Sequence, residues 1–314
     1  MNAKLKGTIF GVTSAVSYGT NPLGALSLYQ QGLNANSVLF YRFSIAAVIL
    51  ASLMLIQKKS FSITRRELTV ISTLGVLFGI SSLSLFTSFN FMDAGVASTI
   101  LFIYPVMVAI IMAVFFKERL SFVTILSISM ALAGIALLYR GDGKSSLSVI
   151  GVLLVIMSSL SYAVYIVVVN KSSIIMSSIK LTFWVLLFCI LTIIIHSLSN
   201  KDCNIMPLTN STMWLWAIML ALIPTIVSLI TMVKAVQLIG STPTAIMGAL
   251  EPLTAVALGI IVFGEIFTLH LGMGILMILS AVVLIIGEKS AKPKILVSKI
   301  SSKGLLLKKY FKWK

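Results

Sequence analysis

Acidic residues, histidines and cysteines are all scarce in this chain. Only 8 of its 314 residues are Asp or Glu, and it contains two His and two Cys. Cys189 and Cys203 do not make a disulfide framework or a metal site, and His196 and His270 form neither an HExxH motif nor a cluster. Gly-rich phosphate loops and GxSxG motifs are also missing. These absences argue against an enzyme, and we expect no metal and no cofactor.

Charged residues of either sign are rare, and the chain contains long apolar runs. Charged residues make up 10% of the chain and apolar residues 59%, with a mean hydropathy of +1.09. Soluble domains have about 25% charged residues. Crossing a bilayer core of about 30 Å takes roughly 20 apolar residues. We interpret ten runs as spans, at about 8–28, 37–57, 68–89, 94–116, 121–139, 148–169, 179–198, 212–234, 243–263 and 268–287.

The predicted fold class is therefore an all-α integral membrane protein with ten transmembrane helices. The first run follows Lys4 and Lys6, as the apolar part of a signal peptide would. However, it is long, contains Asn21 and Pro22, and lacks a convincing small-residue cleavage site. We interpret it as the first span.

The basic residues lie in alternate segments between the spans. If the N-terminus is cytoplasmic, 20 of the 24 Lys and Arg residues lie on the cytoplasmic side. Only Arg140, Lys144 and Lys201 lie outside, and Arg42 is inside a span. Positive charge favours the cytoplasmic side, so we expect a multi-pass protein of the cytoplasmic membrane with both termini inside. This placement also argues against a nucleic-acid partner despite the net charge of +16.

The C-terminal tail, residues 288–314, contains nine lysines interleaved with aliphatic and aromatic residues. Such a composition is typical of an interfacial segment that binds anionic lipid. A tail that serves only to enforce the topology is the alternative.

A proline and a glutamate thirteen residues apart occur twice, as Pro105 with Glu118 and as Pro252 with Glu265. The constant offset of 147 residues predicts two five-helix repeats, at 1–140 and 148–287, with an outer linker at 141–147. Five spans are an odd number, so the second repeat would enter the membrane in the opposite direction. Inverted repeats allow one cavity to open to either side in turn.

Arg42 and Glu251 are the ionisable residues that lie clearly at membrane depth, where each costs about 2.5 to 3.5 kcal/mol. We expect Arg42 to hold a substrate carboxylate and Glu251 to hold an ammonium group or a coupling proton. The alternatives are that Arg42 reaches the headgroups or Asp93, and that a protonated Glu251 caps backbone freed by Pro252. Glu118 and Glu265 are expected to hold helix ends.

The other candidates for a small-molecule cavity are polar or aromatic residues in or near the spans. Tyr104 stands out because it occupies the position that corresponds to Glu251 in the other repeat. The remaining candidates are Tyr18, Asn21, Tyr41, Asn90, Tyr162 and Trp184.

Residues 7–287 resemble the EamA-type permeases of the drug/metabolite transporter superfamily. The resemblance lies in Ile103-Tyr-Pro105 followed by Glu118, in Leu250-Glu-Pro252 followed by Glu265, and in Phe40-Tyr-Arg42-Phe. It implies ten helices and a metabolite cargo, since similar members include exporters of amino acids and some importers. The small multidrug relatives use a glutamate in the first span, and this first span has no acid. Their proton-for-cation mechanism is therefore not expected here.

These observations favour a secondary transporter that moves a small metabolite such as an amino acid by alternating access, with export favoured over import. Two alternatives remain open. One is a flippase for a lipid-linked substrate, and the other is a membrane scaffold or sensor that transports nothing.

Overall fold

The computed structural model describes residues 3–117, 121–139, 148–172, 176–200, 203–240, 244 and 246–291, and within them the chain is helical without a strand. Glu118, the linker at 141–147 and the tail from residue 292 lie outside these residues. The helices are α1 (Ala3–Gly19), α2 (Asn21–Tyr29), α3 (Ala35–Ile56), α4 (Arg65–Ser88), α5 (Ala94–Leu101), α6 (Tyr104–Phe116), α7 (Phe122–Tyr139), α8 (Val149–Lys171), α9 (Ser178–Ser199), α10 (Ser211–Ala221), α11 (Ser228–Ile239), α12 (Leu250–Phe263) and α13 (Leu269–Ala291). A π-helical segment, Leu222–Val227, joins α10 to α11.

Seven helical segments in the described part of the chain are long and apolar enough to cross a membrane. They are α3, α4, α5 with α6, α8, α9, α10 with α11, and α13. The prediction of an all-α membrane protein is thus confirmed. The other three predicted spans are helical but shorter or interrupted: a break at Thr20 separates α1 from α2, and α7 and α12 are short apolar helices.

Contacts between loops define two ends of the bundle. At the proximal end, where α3 ends and α4 begins, Lys180 Nζ donates a hydrogen bond to the Ser62 carbonyl. At the distal end, where α2 ends and α3 begins, Asn34 Nδ2 donates to the Asn204 carbonyl at 2.8 Å. The helices therefore run alternately between these two ends.

Two pairs of serines join helices that are far apart in the sequence. Ser14 on α1 donates to the Ser228 carbonyl on α11 at 2.8 Å, and Ser228 donates back to the Ser14 carbonyl at 3.0 Å. Ser158 on α8 donates to the Ser81 carbonyl on α4 at 2.7 Å. Helices also pack as α7 on α13 and α5 on α12. Hydroxyl-to-carbonyl bonds of this kind hold membrane helices together where water is excluded.

Prolines interrupt three spans, and each carbonyl that a proline leaves free accepts a hydrogen bond from another donor. A proline cannot bond the carbonyl four residues before it. For Pro105 that carbonyl is Leu101, and it accepts from Ser159 Oγ at 3.1 Å. For Pro252 it is Gly248, and it accepts from the Glu251 N–H at 2.9 Å.

The third proline, Pro224, lies in the π-helical segment. Its missing N–H frees the Leu220 carbonyl, which accepts from Thr225 Oγ1 at 2.9 Å. Irregular backbone at membrane depth is tolerated where it lines a cavity or is buried in protein. The breaks therefore indicate where a cavity should be sought.

Candidate binding cavity

Two cavities lie among the interrupted helices. The larger has a volume of about 490 Å³ and the smaller about 150 Å³. Tyr18, Arg42, Phe78 and Tyr162 line both cavities and form a wall between them. The larger cavity also reaches Asn21, Tyr104 and Glu251, and extends towards the proximal end as far as Gly11, Val236 and Thr244.

Arg42 on α3 is the basic residue of this wall, and it is only 4% exposed. Its Nε donates to Thr225 Oγ1 at 3.0 Å. The guanidinium carbon lies 5.2 Å from the centre of the Phe43 ring and 5.5 Å from that of Phe86. Among the described residues no carboxylate forms an ion pair with Arg42. The guanidinium is thus held through Nε and also has the Tyr18 side chain as a hydrogen-bond partner, while its charge has no acidic partner among the described residues.

The Pro224 break explains why Arg42 is held in this orientation. The Thr225 hydroxyl donates to the Leu220 carbonyl that Pro224 leaves free, so its lone pairs accept the Nε–H of Arg42. An arginine fixed through Nε presents its other two nitrogens as a fork that fits a carboxylate.

Glu251 lies in the first turn of α12 and lines the larger cavity. No described side chain forms a hydrogen bond or an ion pair with its carboxylate. The phenol of Tyr18 interacts electrostatically with both Glu251 and Arg42. One cavity system therefore contains a cation and an acid, neither paired with the other, with a tyrosine within reach of both.

Aromatic rings form one side of the larger cavity. Tyr104, at the start of α6, makes an edge contact with Tyr162 at a centroid distance of 4.8 Å. Tyr162 in turn stacks on Tyr165 at 5.7 Å with the rings nearly parallel, and Phe78 packs against both. Such a surface binds apolar or aromatic groups and offers hydroxyls at its edges.

Asn21 is the first residue of α2, and its side chain is 5% exposed. It lines the larger cavity, and its buried Oδ1 has no hydrogen-bond partner within the described part of the chain. A buried carboxamide without a partner is costly. A ligand that supplies a donor would remove that cost.

Three predicted cavity residues line neither cavity. Tyr41 packs on Phe40 and Trp214. Asn90 is exposed in the loop between α4 and α5. Trp184 packs against Phe183, and its buried Nε1 has no partner among the described residues.

The paired motif residues lie at helix breaks and ends. Pro105 is the second residue of α6 and Pro252 the third of α12. Glu265 lies at the distal end, where its Oε1 accepts the Ala94 N–H at 3.0 Å. Its counterpart Glu118 is not among the described residues.

Sequence reasoning missed Thr225, Phe78 and Phe86. Pro224 signalled an interrupted helix, but the sequence did not show that Thr225 would meet the freed carbonyl and Arg42 together. Phe78 and Phe86 are apolar residues within an apolar span, so nothing in their type distinguished them.

The buried charges, the cavity and the interrupted apolar helices define a multi-pass membrane transporter, and comparison with known proteins gives the family. The profile of the EamA-like transporter family matches residues 5–140 and again residues 149–287. This chain therefore belongs to the EamA-like transporter family. The resemblance seen in the paired motifs is confirmed.

Similar proteins carry the same general description. An uncharacterized transporter of Archaeoglobus fulgidus is 28% identical over 40% of this chain and 43% of its own length. A second from that organism is 26% identical over 61% of this chain and 67% of its own. One from Haemophilus influenzae is 28% identical over 43% of this chain and 45% of its own. The chain thus spans less than half the length of two of these relatives.

A solved crystal structure of another protein shares the fold, with a TM-score of 0.61 and 18% identity. The match covers 88% of this chain and 95% of that chain.

Proposed function

We propose that this protein is a secondary transporter that moves a small metabolite across the cytoplasmic membrane by alternating access, and that it exports its cargo. The observation that carries the proposal is Arg42, a buried guanidinium without an acidic partner among the described residues, in the wall between two cavities. Burying a charge is expensive unless it is paired. A negatively charged group of the substrate supplies that pairing.

The two family matches support ten spans arranged as inverted repeats. Ser14 and Ser158 occupy equivalent positions at an offset of 144 residues, and Ser81 and Ser228 are equivalent at an offset of 147. The bonded pairs are Ser14 with Ser228 and Ser158 with Ser81. The first span of each repeat is thus hydrogen-bonded to the third span of the other repeat. That exchange is the relation expected of two copies related by an axis in the membrane plane.

The basic residues support an orientation with the proximal end in the cytoplasm. Lys58 and Lys59 follow α3 at this end, and Lys171 and Lys180 flank the loop between α8 and α9. The larger cavity extends towards the same end, whereas every residue of α5, from Ala94 to Leu101, is buried near the distal end. The structure then corresponds to an inward-facing state.

The two cavities suggest the substrate class. A carboxylate at Arg42 and a positively charged group near Glu251 describe a zwitterion such as an amino acid. The smaller cavity, beyond Arg42, is lined by apolar side chains that include Val185, Leu186 and Leu229. An apolar side group fits there, with the charged groups kept in the larger cavity.

Counterflow in proteoliposomes tests this function. Vesicles that contain the purified protein and a high internal concentration of one amino acid should take up the same amino acid in radiolabelled form. We expect the uptake of at least one of the standard amino acids to be clearly higher than the uptake by protein-free liposomes.

Two other outcomes identify the alternatives. Movement of a fluorescent lipid-linked probe between leaflets, without movement of any soluble solute, would identify a flippase. Failure to move solutes or lipids would favour the scaffold or sensor. Uptake into inside-out vesicles compared with right-side-out vesicles gives the direction.

Replacing Thr225, which lines the smaller cavity, with valine should weaken substrate binding. A hydrogen bond to a charged group contributes about 1.5–3 kcal/mol, so we expect roughly a 10- to 100-fold loss of affinity because Arg42 loses its Nε partner. The measurement is ligand-induced thermal stabilisation of the purified protein. Thr225→Ser should restore most of the affinity.

Thr231→Val is the matched control for this substitution. Thr231 lies on α11, and its hydroxyl donates a hydrogen bond to the Val227 carbonyl and makes none to Arg42. Equal affinity loss in both variants would show that Thr225 acts on helix stability alone and would contradict its role in orienting Arg42.

A further inference from the structure

At the distal end, the Glu265 side chain connects the segment after α12 to the start of α5, which belongs to the other family-matched half. Gly264 ends α12 in the left-handed conformation, with φ of 69°, and turns the chain so that Glu265 folds back towards α5. Glu265 Oε1 accepts the Ala94 N–H at 3.0 Å. Its other oxygen lies so close to Gly95 and Gly259 that an added Cβ would approach it to 3.0 and 2.0 Å. The carboxylate thus fills a space that two glycines leave open.

The contact supplies what the start of α5 lacks. Asp93 occupies the N-cap position of α5, but its side chain makes no capping hydrogen bond. The first N–H groups of a helix need an acceptor and favour negative charge. Glu265, from the other half of the chain, provides the acceptor.

The position of α5 gives this contact its importance. All eight residues of α5 are buried, and its last residue, Leu101, lines the larger cavity. The helix therefore separates the cavity from the distal end. A route to that end requires α5 to move relative to α12, against which it packs, and such a movement would break the contact with Glu265.

Two carboxyl groups share this small space. Burial and, to a smaller extent, the neighbouring Asp93 raise the pKa of Glu265 to about 7, against the opposing effect of the N–H groups of Ala94 and Gly95. Burial also raises the pKa of Asp93. Among the described residues, this end also contains His270, in the first turn of α13, and His196, whose Nδ1 contacts the Asn36 side chain, as well as Tyr29 and Cys203.

We propose that Glu265 is a proton-linked latch, which holds α5 against α12 at the distal end and keeps the central cavity closed to that side. The proposal rests on the proposed function, because only a transporter that alternates access needs α5 to be released. Proton uptake by Glu265 favours the latched state. Proton release favours the state in which α5 has moved away.

The direction of this pH dependence follows from linkage. In the latched state Glu265 titrates near pH 7, and after release into water it returns towards its ordinary value of 4.5. The state with the higher pKa for an acid binds the proton more tightly and gains as the pH falls. Between about pH 8 and about pH 5.5, the ratio of latched to released molecules should increase about 30-fold.

The distance between two spin labels distinguishes the latched state from the released state in the absence of any substrate. Asn90, exposed in the loop before α5, and Leu269, 74% exposed at the start of α13, are suitable positions for cysteine and a nitroxide label. Cys203 would be replaced by serine, while Cys189 is buried. Pulsed dipolar spectra are recorded in lipid nanodiscs over a series of pH values. We expect a short and a long distance, with the short one gaining on acidification around pH 7.

Three variants separate the latch from other causes. Glu265→Gln should remove the pH dependence and keep the short distance dominant, because the amide oxygen still accepts the Ala94 N–H without charge. Asp93→Asn should lower the midpoint, because it removes the neighbouring charge. Gly259→Ala should favour the long distance at every pH, since its Cβ displaces the Glu265 side chain.

Glu67→Gln is the matched control. Glu67 also caps a helix, but it is partly exposed and lies at the proximal end, at the start of α4. Its replacement should leave the midpoint unchanged. A pH response that survives in Glu265→Gln, or a single distance that no pH and no variant alters, would overturn the latch. A failed counterflow experiment accompanied by the expected distance changes would instead count against the proposed cargo.

Discussion

Replacement of Arg42 by methionine should abolish substrate binding while the protein stays folded. Removing one partner of a buried charge pair costs about 2–5 kcal/mol or more, so the affinity should fall by at least about 30-fold. Methionine retains most of the apolar volume between the Phe43 and Phe86 rings. We therefore expect the unfolding midpoint of the ligand-free protein to stay level or rise, because an unpaired buried charge destabilises the folded state.

Thermal unfolding with and without ligand, together with counterflow, checks both parts of this prediction. Arg42→Lys is the graded comparison. Lysine keeps the positive charge but cannot form the bond from Nε to Thr225 or offer a planar fork, so the loss should be intermediate. An unchanged affinity in Arg42→Met would remove Arg42 from the binding site. A fall in the ligand-free midpoint as large as the loss of binding would indicate a structural role instead.

Replacement of Glu251 by glutamine should have the second largest effect. Glu251 has neither an ion pair nor a side-chain hydrogen bond among the described residues, yet it lies in a cavity at membrane depth, where an acid is costly. We expect concentrative transport to fall by about 30-fold or more, in line with the loss of one member of a buried charge pair. The measurement is uptake into proteoliposomes with an imposed proton gradient.

Two measurements distinguish the two roles of Glu251: the binding of an amino acid with and without its amino group, and the response of uptake to the proton gradient. If it binds an ammonium group, Glu251→Gln weakens binding of an amino acid much more than binding of the same acid without its amino group. If it carries the coupling proton, binding survives in the variant but uptake no longer responds to the gradient. Unchanged binding combined with unchanged gradient-driven uptake would contradict both roles. Glu67→Gln, a change of the same type at a partly exposed position outside the cavities, serves as the control.

The sequence predicts the existence and approximate position of the long helices, because the length and hydropathy of an apolar run are enough to indicate a membrane-spanning helix. The long apolar runs became helices, since backbone polar groups in hydrocarbon need internal partners. The break at Thr20 was not predicted, although Pro22 pointed to an irregularity near it. In spans that are apolar on every side, composition does not indicate which face meets a neighbouring helix.

The same limit explains why only some of the predicted site residues line the cavities. Arg42 and Glu251 were identifiable because charge at membrane depth is expensive whichever way the helix faces. Tyr41 precedes Arg42 by one residue, which places the two side chains about 100° apart around the helix. Tyr41 consequently packs on Trp214, outside the cavities. Thr225 could be found only in three dimensions, because its role depends on the carbonyl that Pro224 leaves free.

The reciprocal serine bonds also bear on how the chain is made. Ser14 lies on α1, but its partner Ser228 is synthesised more than 200 residues later. Until then the Ser14 hydroxyl needs a partner within its own helix or among other groups in the membrane. The contact between α1 and α11 can therefore form only after the second half of the chain has been inserted.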